Sequence, residues 1–286
     1  MKRIAILLLL AAACHKVETP ATTSSAPPPP APETTTTAPA AAKYVPPPDV
    51  SVANAPVPTS GLSLWLRADS GVTAGADGKV SAWAVEGSPV KAEAKDAAQQ
   101  PTLAQNAIGG KPAIHFDGGT QMLEANINID PAASPELTVI SVFTSETDAA
   151  TPLRKLYGAD DGGYDRAAGL DDRAEGMSYT VFGGGAGVVG IMKLAANTPY
   201  LTVDSYDQPK KKLNVWVNGA PAKQNVDVDH GAGLDKFYIG GTGTVYHEPW
   251  FGNVAEMLVY HRVLTDDERK KIEDYLAAKY GLKLTR

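Results

Sequence analysis

The chain has a single cysteine in 286 residues, Cys14, close to its N-terminus. Everything downstream is therefore thiol-free, which excludes disulfides, thiolate metal sites and cysteine nucleophiles from the bulk of the protein. Positive charge is also short, with 26 Lys and Arg against 32 Asp and Glu and a formal net charge of −6. That balance repels phosphate backbones and anionic lipid, and it argues against nucleic acid as a partner. Long apolar runs are missing too. The longest, Ile4 to Ala13, is about half of the roughly 20 residues a membrane-spanning helix needs. Familiar catalytic signatures are absent: there is no Gly-x-Ser-x-Gly elbow and no Walker-type loop, and His247-Glu248 is followed by Pro249, which rules out a His-Glu-x-x-His zinc helix.

The short apolar run follows Met1-Lys2-Arg3 and ends in small residues directly before Cys14. A basic start, a short apolar middle and a small-residue end are the pattern of a removable export signal. Residues 1–13 are expected to be a bacterial lipoprotein signal peptide, with Cys14 becoming the lipid-modified N-terminus that holds the protein to a membrane. His15, rather than Asp, follows Cys14, so the expected location is the cell envelope at the outer membrane, with the folded part periplasmic or extracellular.

Residues 14–58 hold twelve of the 22 prolines, runs of Thr and Pro, and few large apolar side chains. Such a composition cannot bury enough surface to fold and is expected to be a disordered tether. Removing the two positive charges of Lys2 and Arg3 and the single net negative charge of residues 14–58 leaves about −7 on residues 59–286. About 228 residues suffice for one stable core.

From Gly61 onward, short alternating or wholly apolar segments are broken by Gly, Asp and Asn, the pattern of an all-β antiparallel sandwich. Leu62, Leu64 and Leu66 alternate with Ser63, Trp65 and Arg67, and Leu137 to Phe143 is apolar on both faces. Asp77-Gly78 and Asn218-Gly219 are two-residue hairpin signals, because both residue types tolerate positive φ. Glycine clusters at 183–185 and 240–241 mark further turns. One C-terminal α-helix is expected: Thr265 and Glu268 have capping-box spacing, Ile272, Tyr275, Leu276 and Tyr280 form one stripe, and Gly281 provides the stop.

The stretches LNVWVNGAP (213–221), FYIGG (237–241) and GNVAEMLVYHRVLTDDE (252–268) resemble, in order and spacing, the laminin-G-like branch of the concanavalin A-like lectin and glucanase superfamily. LSLWLRADSGV (62–72), Trp83 and GKPAIHFDG (110–118) are similar to the N-terminal half of bacterial versions of that domain. The resemblance covers nearly all of residues 61–284 and implies a jelly-roll β-sandwich. It says little of function, because this architecture carries lectins, hydrolases, adhesive modules and inert spacers. The superfamily's glucanases use Glu-x-Asp-x-x-Glu or Glu-x-Asp-x-Glu on one strand face, and neither pattern occurs here. The resemblance implies a structural role for Glu256. Asp227 and Asp229 read as a solvated strand face, and no catalytic residue is assigned.

Two segments stand out as candidate sites. TVYHEPWFG (244–252) places Tyr246, His247 and Trp250 in a loop before a strand, the aromatic and polar mixture that glycan recognition needs; for Trp250 a packing role is weighed above ligand contact. ADDGGYD (159–165) offers Asp160, Asp161 and Asp165 around two glycines. No cofactor is assigned, and calcium is the one cation left open, since hard cations take several loop oxygens and the superfamily often binds it at a sandwich rim. Acidic Gly-rich turns also arise simply because Asp and Gly suit turns. Tyr164, Tyr179 and Tyr206 are secondary binding-face candidates. Trp65, Trp83 and Trp216 read as core, and Lys210 to Lys212 as edge protection.

The expected function is a lipid-anchored binding module that recognises a polysaccharide or a surface protein without catalysis. The alternatives are a divergent glycoside hydrolase or polysaccharide lyase, and a structural spacer of the envelope.

Overall fold

In the computed structural model, residues 44–286 are described, apart from Glu175 and His247. The signal segment, Cys14 and most of the expected tether lie outside the described residues. No helix among the described residues is long and apolar enough to cross a membrane.

The described residues form two antiparallel sheets, of eight and nine strands, packed face to face. The first runs Ala220–Asp227, Lys212–Val217, Tyr200–Asp207, Glu136–Ser145, Phe251–Tyr260, Lys111–Asp117 and Thr102–Ile108. Its eighth strand, Leu62–Arg67, pairs with the second half of Phe251–Tyr260, while Lys111–Asp117 pairs with the first half. The second sheet runs Val188–Met192, Tyr179–Phe182, Ala167–Leu170, Arg154–Gly158, Phe237–Ile239, Leu123–Ala125, Lys91–Glu93, Val80–Ala84 and Val72–Ala74. This is the all-β sandwich that the alternation implies. The two hairpin signals sit at turns, and Asn218 and Gly219 both take positive φ, 47° and 83°, between the paired residues Val217 and Ala220.

Between the sheets the core is aromatic. Phe143 stacks on Tyr179 with centroids 5.4 Å apart, and Tyr157 stacks on Phe237 at 5.6 Å. A polar group lies among them: Tyr157 donates to Asp204 Oδ2 at 2.7 Å, and the Tyr157 and Tyr206 hydroxyls are 3.1 Å apart. Burial pushes the Asp204 carboxyl up to about 7, against the lowering effect of the Tyr157 hydrogen bond. Tyr179 and Tyr206 are thus core residues and not part of a binding face.

The helix Asp266–Tyr280 forms as its caps require. The Thr265 side chain accepts from Glu268 N, the Glu268 side chain returns to the Thr265 backbone, and Gly281 closes the helix at φ 66°. It packs on the face of the eight-stranded sheet that points away from the partner sheet, where Ile272, Leu276 and Tyr280 are buried and the Arg269 guanidinium lies 4.4 Å over the Trp216 ring. Glu256, fully buried below the helix, accepts hydrogen bonds from Trp65 Nε1 at 2.6 Å, Tyr280 OH at 2.8 Å, Lys279 Nζ at 2.7 Å and Tyr275 OH at 3.3 Å. Its role here is structural: it ties a strand to the helix.

The folded region begins earlier than composition indicates. Val50 and Val57 are buried in the core, Val50 N donates to Leu62 O at 2.7 Å, and Tyr44 OH accepts from Asn128 N at 3.2 Å. Prolines dominate this stretch, yet the valines between them supply enough apolar contact to dock it on the sandwich. The Lys210 to Lys212 run also departs from expectation. It closes the hairpin between Tyr200–Asp207 and Lys212–Val217, inside the sheet and not at its edge, and each lysine pairs with an aspartate, Asp207, Asp229 and Asp227 in turn.

Candidate functional site

The site is built where the strand Arg154–Gly158 bends around a register irregularity. Tyr157 pairs with Ala168, and Lys155 pairs with Gly169, leaving Leu156 without an opposite partner. A bulge of this kind re-aims the flanking side chains. Tyr157 points into the core, while Lys155 reaches the opposite face of the nine-stranded sheet, its Nζ 3.9 Å over the Phe182 ring. Gly169 makes the bend feasible, because a Cβ there would meet Arg154 O at 2.2 Å and Lys155 Cα at 2.5 Å.

Lys155 is fully buried and donates to Asp171 Oδ2 at 2.8 Å. Asp171 also accepts from Arg173 Nε at 2.8 Å and Nη2 at 2.5 Å. Burial alone would raise the Asp171 carboxyl, but Arg173 and Lys155 hold it down at about 2. Arg173 is raised by the same hydrogen bonds, and its guanidinium rests against the Tyr164 and Phe182 rings, 5.3 and 5.5 Å from their centroids, where the two rings meet edge to face at 5.4 Å.

Glu248 sits beside this network, and its backbone oxygen accepts from Lys155 N at 2.8 Å. Its Oε2 is buried with no hydrogen-bond partner, and burial raises the carboxyl, an effect that Lys155 opposes and Asp160 reinforces. Tyr246 is 44% exposed. Its backbone oxygen is held by the Thr242 hydroxyl at 3.2 Å, and its own hydroxyl lies against Gly162, where a Cβ would stand 3.4 Å away. The loop is fixed at its base by Trp250 N donating to Gly240 O at 3.0 Å.

Two adjoining depressions result, both lined by Tyr246 and Glu248. One, of about 260 Å³, is bounded by Asp160, Gly162, Gly163, Tyr164, Arg173 and Phe182. The other, of about 330 Å³, is bounded by polar side chains that include Asp96, Gln99, Thr120, Gln121 and Thr244, with the Gly240–Gly241 backbone. The segments 159–165 and 244–250 therefore converge on one surface.

The sequence candidates separate here. Tyr246 and Asp160 line the depressions, and Tyr164 joins them. His247 lies outside the described residues. As a ligand candidate Trp250 is corrected to the packing role weighed above: it has no exposed surface and stands edge-on to Phe143 at 5.5 Å, because the strand that begins at Phe251 draws it into the core. The acidic turn is largely occupied with itself. Asp160 Oδ1 accepts from Asp165 N at 2.9 Å and Asp165 Oδ2 from Asp161 N at 3.3 Å. Asp161 is exposed, and burial pushes the Asp165 carboxyl up to about 7. Among the described residues no group of three acidic or histidine side chains is placed to hold a metal ion. Lys155, Asp171, Arg173, Phe182 and Glu248 were not singled out from sequence. The one trace they leave is Lys155, set beside Leu156 and Tyr157 in a short strand.

No family model matches the sequence, and no curated protein matches it. Solved structures do share its fold. Trypanosoma rangeli sialidase in complex with the inhibitor DANA is similar over 81% of this chain and 35% of its own, with a TM-score of 0.53 and 19% identity. Domain 4 of AbnA, a GH43 extracellular arabinanase from Geobacillus stearothermophilus solved with arabinotriose, is similar over 75% of this chain and 98% of its own, with a TM-score of 0.50 and 16% identity. The chain spans about a third of the length of the sialidases it matches. At these identities the likeness is one of fold, an all-β sandwich.

Proposed function

We propose that the protein is a glycan-recognition module of the laminin-G-like type that binds its ligand along the surface around Tyr246. The observation that carries this reading is the placement of a half-exposed tyrosine, fixed by its own loop, between two polar depressions. A sugar ring presents an apolar face to an aromatic ring and a rim of hydroxyls to polar groups, and this surface offers both. The sandwich shared with an arabinanase domain solved with arabinotriose supports the same direction.

The test is co-sedimentation of the full chain with insoluble and immobilised polysaccharides. Binding to at least one is expected, with loss of that binding in Tyr246→Ala at an unchanged melting temperature. Equal binding by Tyr246→Ala would remove the site from this surface.

A second reading rests on Glu248, a carboxyl raised by burial and with one unpaired oxygen, the state a proton donor to a glycosidic oxygen requires. Release of reducing ends from a bound polysaccharide, abolished in Glu248→Gln, would establish a hydrolase in place of a passive module.

Membrane attachment through a lipid on Cys14 belongs to the same proposal, with the Pro/Thr-rich segment holding the sandwich away from the bilayer. Cys14→Ser is expected to leave the membrane fraction; a variant that stays fully membrane-bound would refute the lipid anchor.

A further inference from the structure

We infer that the two depressions flanking Tyr246 are adjoining subsites for an uncharged oligosaccharide, and that the surface discriminates against carboxylated sugars. This rests on the glycan-recognition reading and specifies the ligand class. Charge is the first support. Among the described residues, Arg173 is the only cationic side chain lining either depression. Two of its nitrogens are committed to Asp171, and its guanidinium rests against the Tyr164 and Phe182 rings. Lys155, behind it, is fully buried and also bound to Asp171. The remaining charged lining groups are carboxyls: Asp160 and Glu248 on one side, Asp96 and Glu248 on the other. Among the described residues an incoming carboxylate meets only a guanidinium whose charge Asp171 already offsets, with carboxyls beside it, which costs affinity.

Hydrogen-bond polarity is the second support. In the larger depression the Gln99 and Gln121 side-chain oxygens already accept from Lys95 N at 3.2 Å and Asp117 N at 2.8 Å. Their amide nitrogens are left to donate. In the smaller depression the Asp160 and Glu248 carboxyls line the wall and supply acceptor oxygens. Hydroxyls serve both halves, since each can donate and accept, whereas a carboxylate serves only the donating half. The third support is size. The two spaces meet at Tyr246 and together fall within the roughly 300–1,000 Å³ of small-molecule sites, so a chain of two or more rings crossing the tyrosine fills both.

The experiment is a glycan array carrying neutral and carboxylated oligosaccharides, probed with the full chain, with titration calorimetry on the hits and on their monosaccharide units in 50 and 500 mM salt. Hits confined to neutral glycans are expected, at least tenfold weaker binding for the monosaccharide, and affinity that changes less than twofold with salt. Glu248→Gln is expected to raise the relative signal of carboxylated glycans. Uronic or sialic acid glycans bound as tightly as neutral ones would overturn the ligand class while leaving glycan recognition intact. Silence across the whole array by a chain that melts cooperatively would overturn both.

Discussion

Trp250 stands edge-on to Phe143 with ring centroids 5.5 Å apart, at the heart of the sandwich. Four residues earlier Tyr246 faces solvent. The same loop thus supplies an anchor and an exposed ring, and two substitutions separate them. Trp250→Ala is expected to cost about 3–5 kcal/mol of stability, the usual loss for a buried large aromatic. Tyr246→Ala is expected to change stability by less than about 0.5 kcal/mol, as surface substitutions do. Chemical denaturation of the two variants checks the contrast.

Glu256 gathers four donors from a strand and the helix. Replacing it with leucine leaves Trp65 Nε1 and the Tyr275 hydroxyl without their acceptor and Lys279 with Asp69 alone, a loss on the order of 3–5 kcal/mol. Glu256→Gln keeps the size and an acceptor and is expected to lose less. Amide exchange should show the helix Asp266–Tyr280 opening before the rest of the sandwich in Glu256→Leu, and uniform protection there would refute its docking role.

Asp204 gives stability a pH dependence whose sign follows from its raised carboxyl. The folded state holds the proton up to about 7, while an ordinary aspartate releases it near 3.8. The contribution is complete below pH 3.8 and is lost as pH rises to 7, on the order of 4 kcal/mol for this group alone. His230 and His261, held neutral by burial down to about 4, act oppositely and lose their contribution as pH falls from 6.5. The difference between Asp204→Asn and the native protein isolates the carboxyl. The variant's melting temperature relative to native should climb between pH 4 and 7 and level off above it.

Gly169 bears on the site through the backbone. Any Cβ there collides with Arg154 O and Lys155 Cα, so Gly169→Ala must push the neighbouring strand away and disturb the Lys155–Asp171 pair. A stability loss together with weakened glycan binding is expected. Full binding in a folded Gly169→Ala protein would show that the bulge does not set the site.

Much of the fold was legible because its signals are local. Thr265, Glu268 and Gly281 fix the helix ends within the helix itself, and Asn218-Gly219 fixes a turn from two residues. The role of Glu256 was legible through family resemblance. The start of the folded region was not, since Val50 and Val57 are diluted among prolines and find their partners only in space. The site was half legible. Tyr246 and Asp160 stand in conspicuous segments, but Lys155, the Asp171–Arg173 pair and Glu248 come from three separate stretches of chain, brought together by a bulge that no spacing rule announces. Trp250 shows the converse difficulty, because an aromatic beside a loop looks the same in sequence whether it faces inward or outward.

In the proposed complex the ligand lies across Tyr246. Backbone NMR shift mapping of the full chain titrated with a neutral trisaccharide drawn from its array hits tests this most directly. The largest shifts are expected at Tyr246, Tyr164, Gly162, Gln99 and Gln121, all absent in Tyr246→Ala. Shifts clustered on another face of the sandwich, with these residues unmoved, would contradict it.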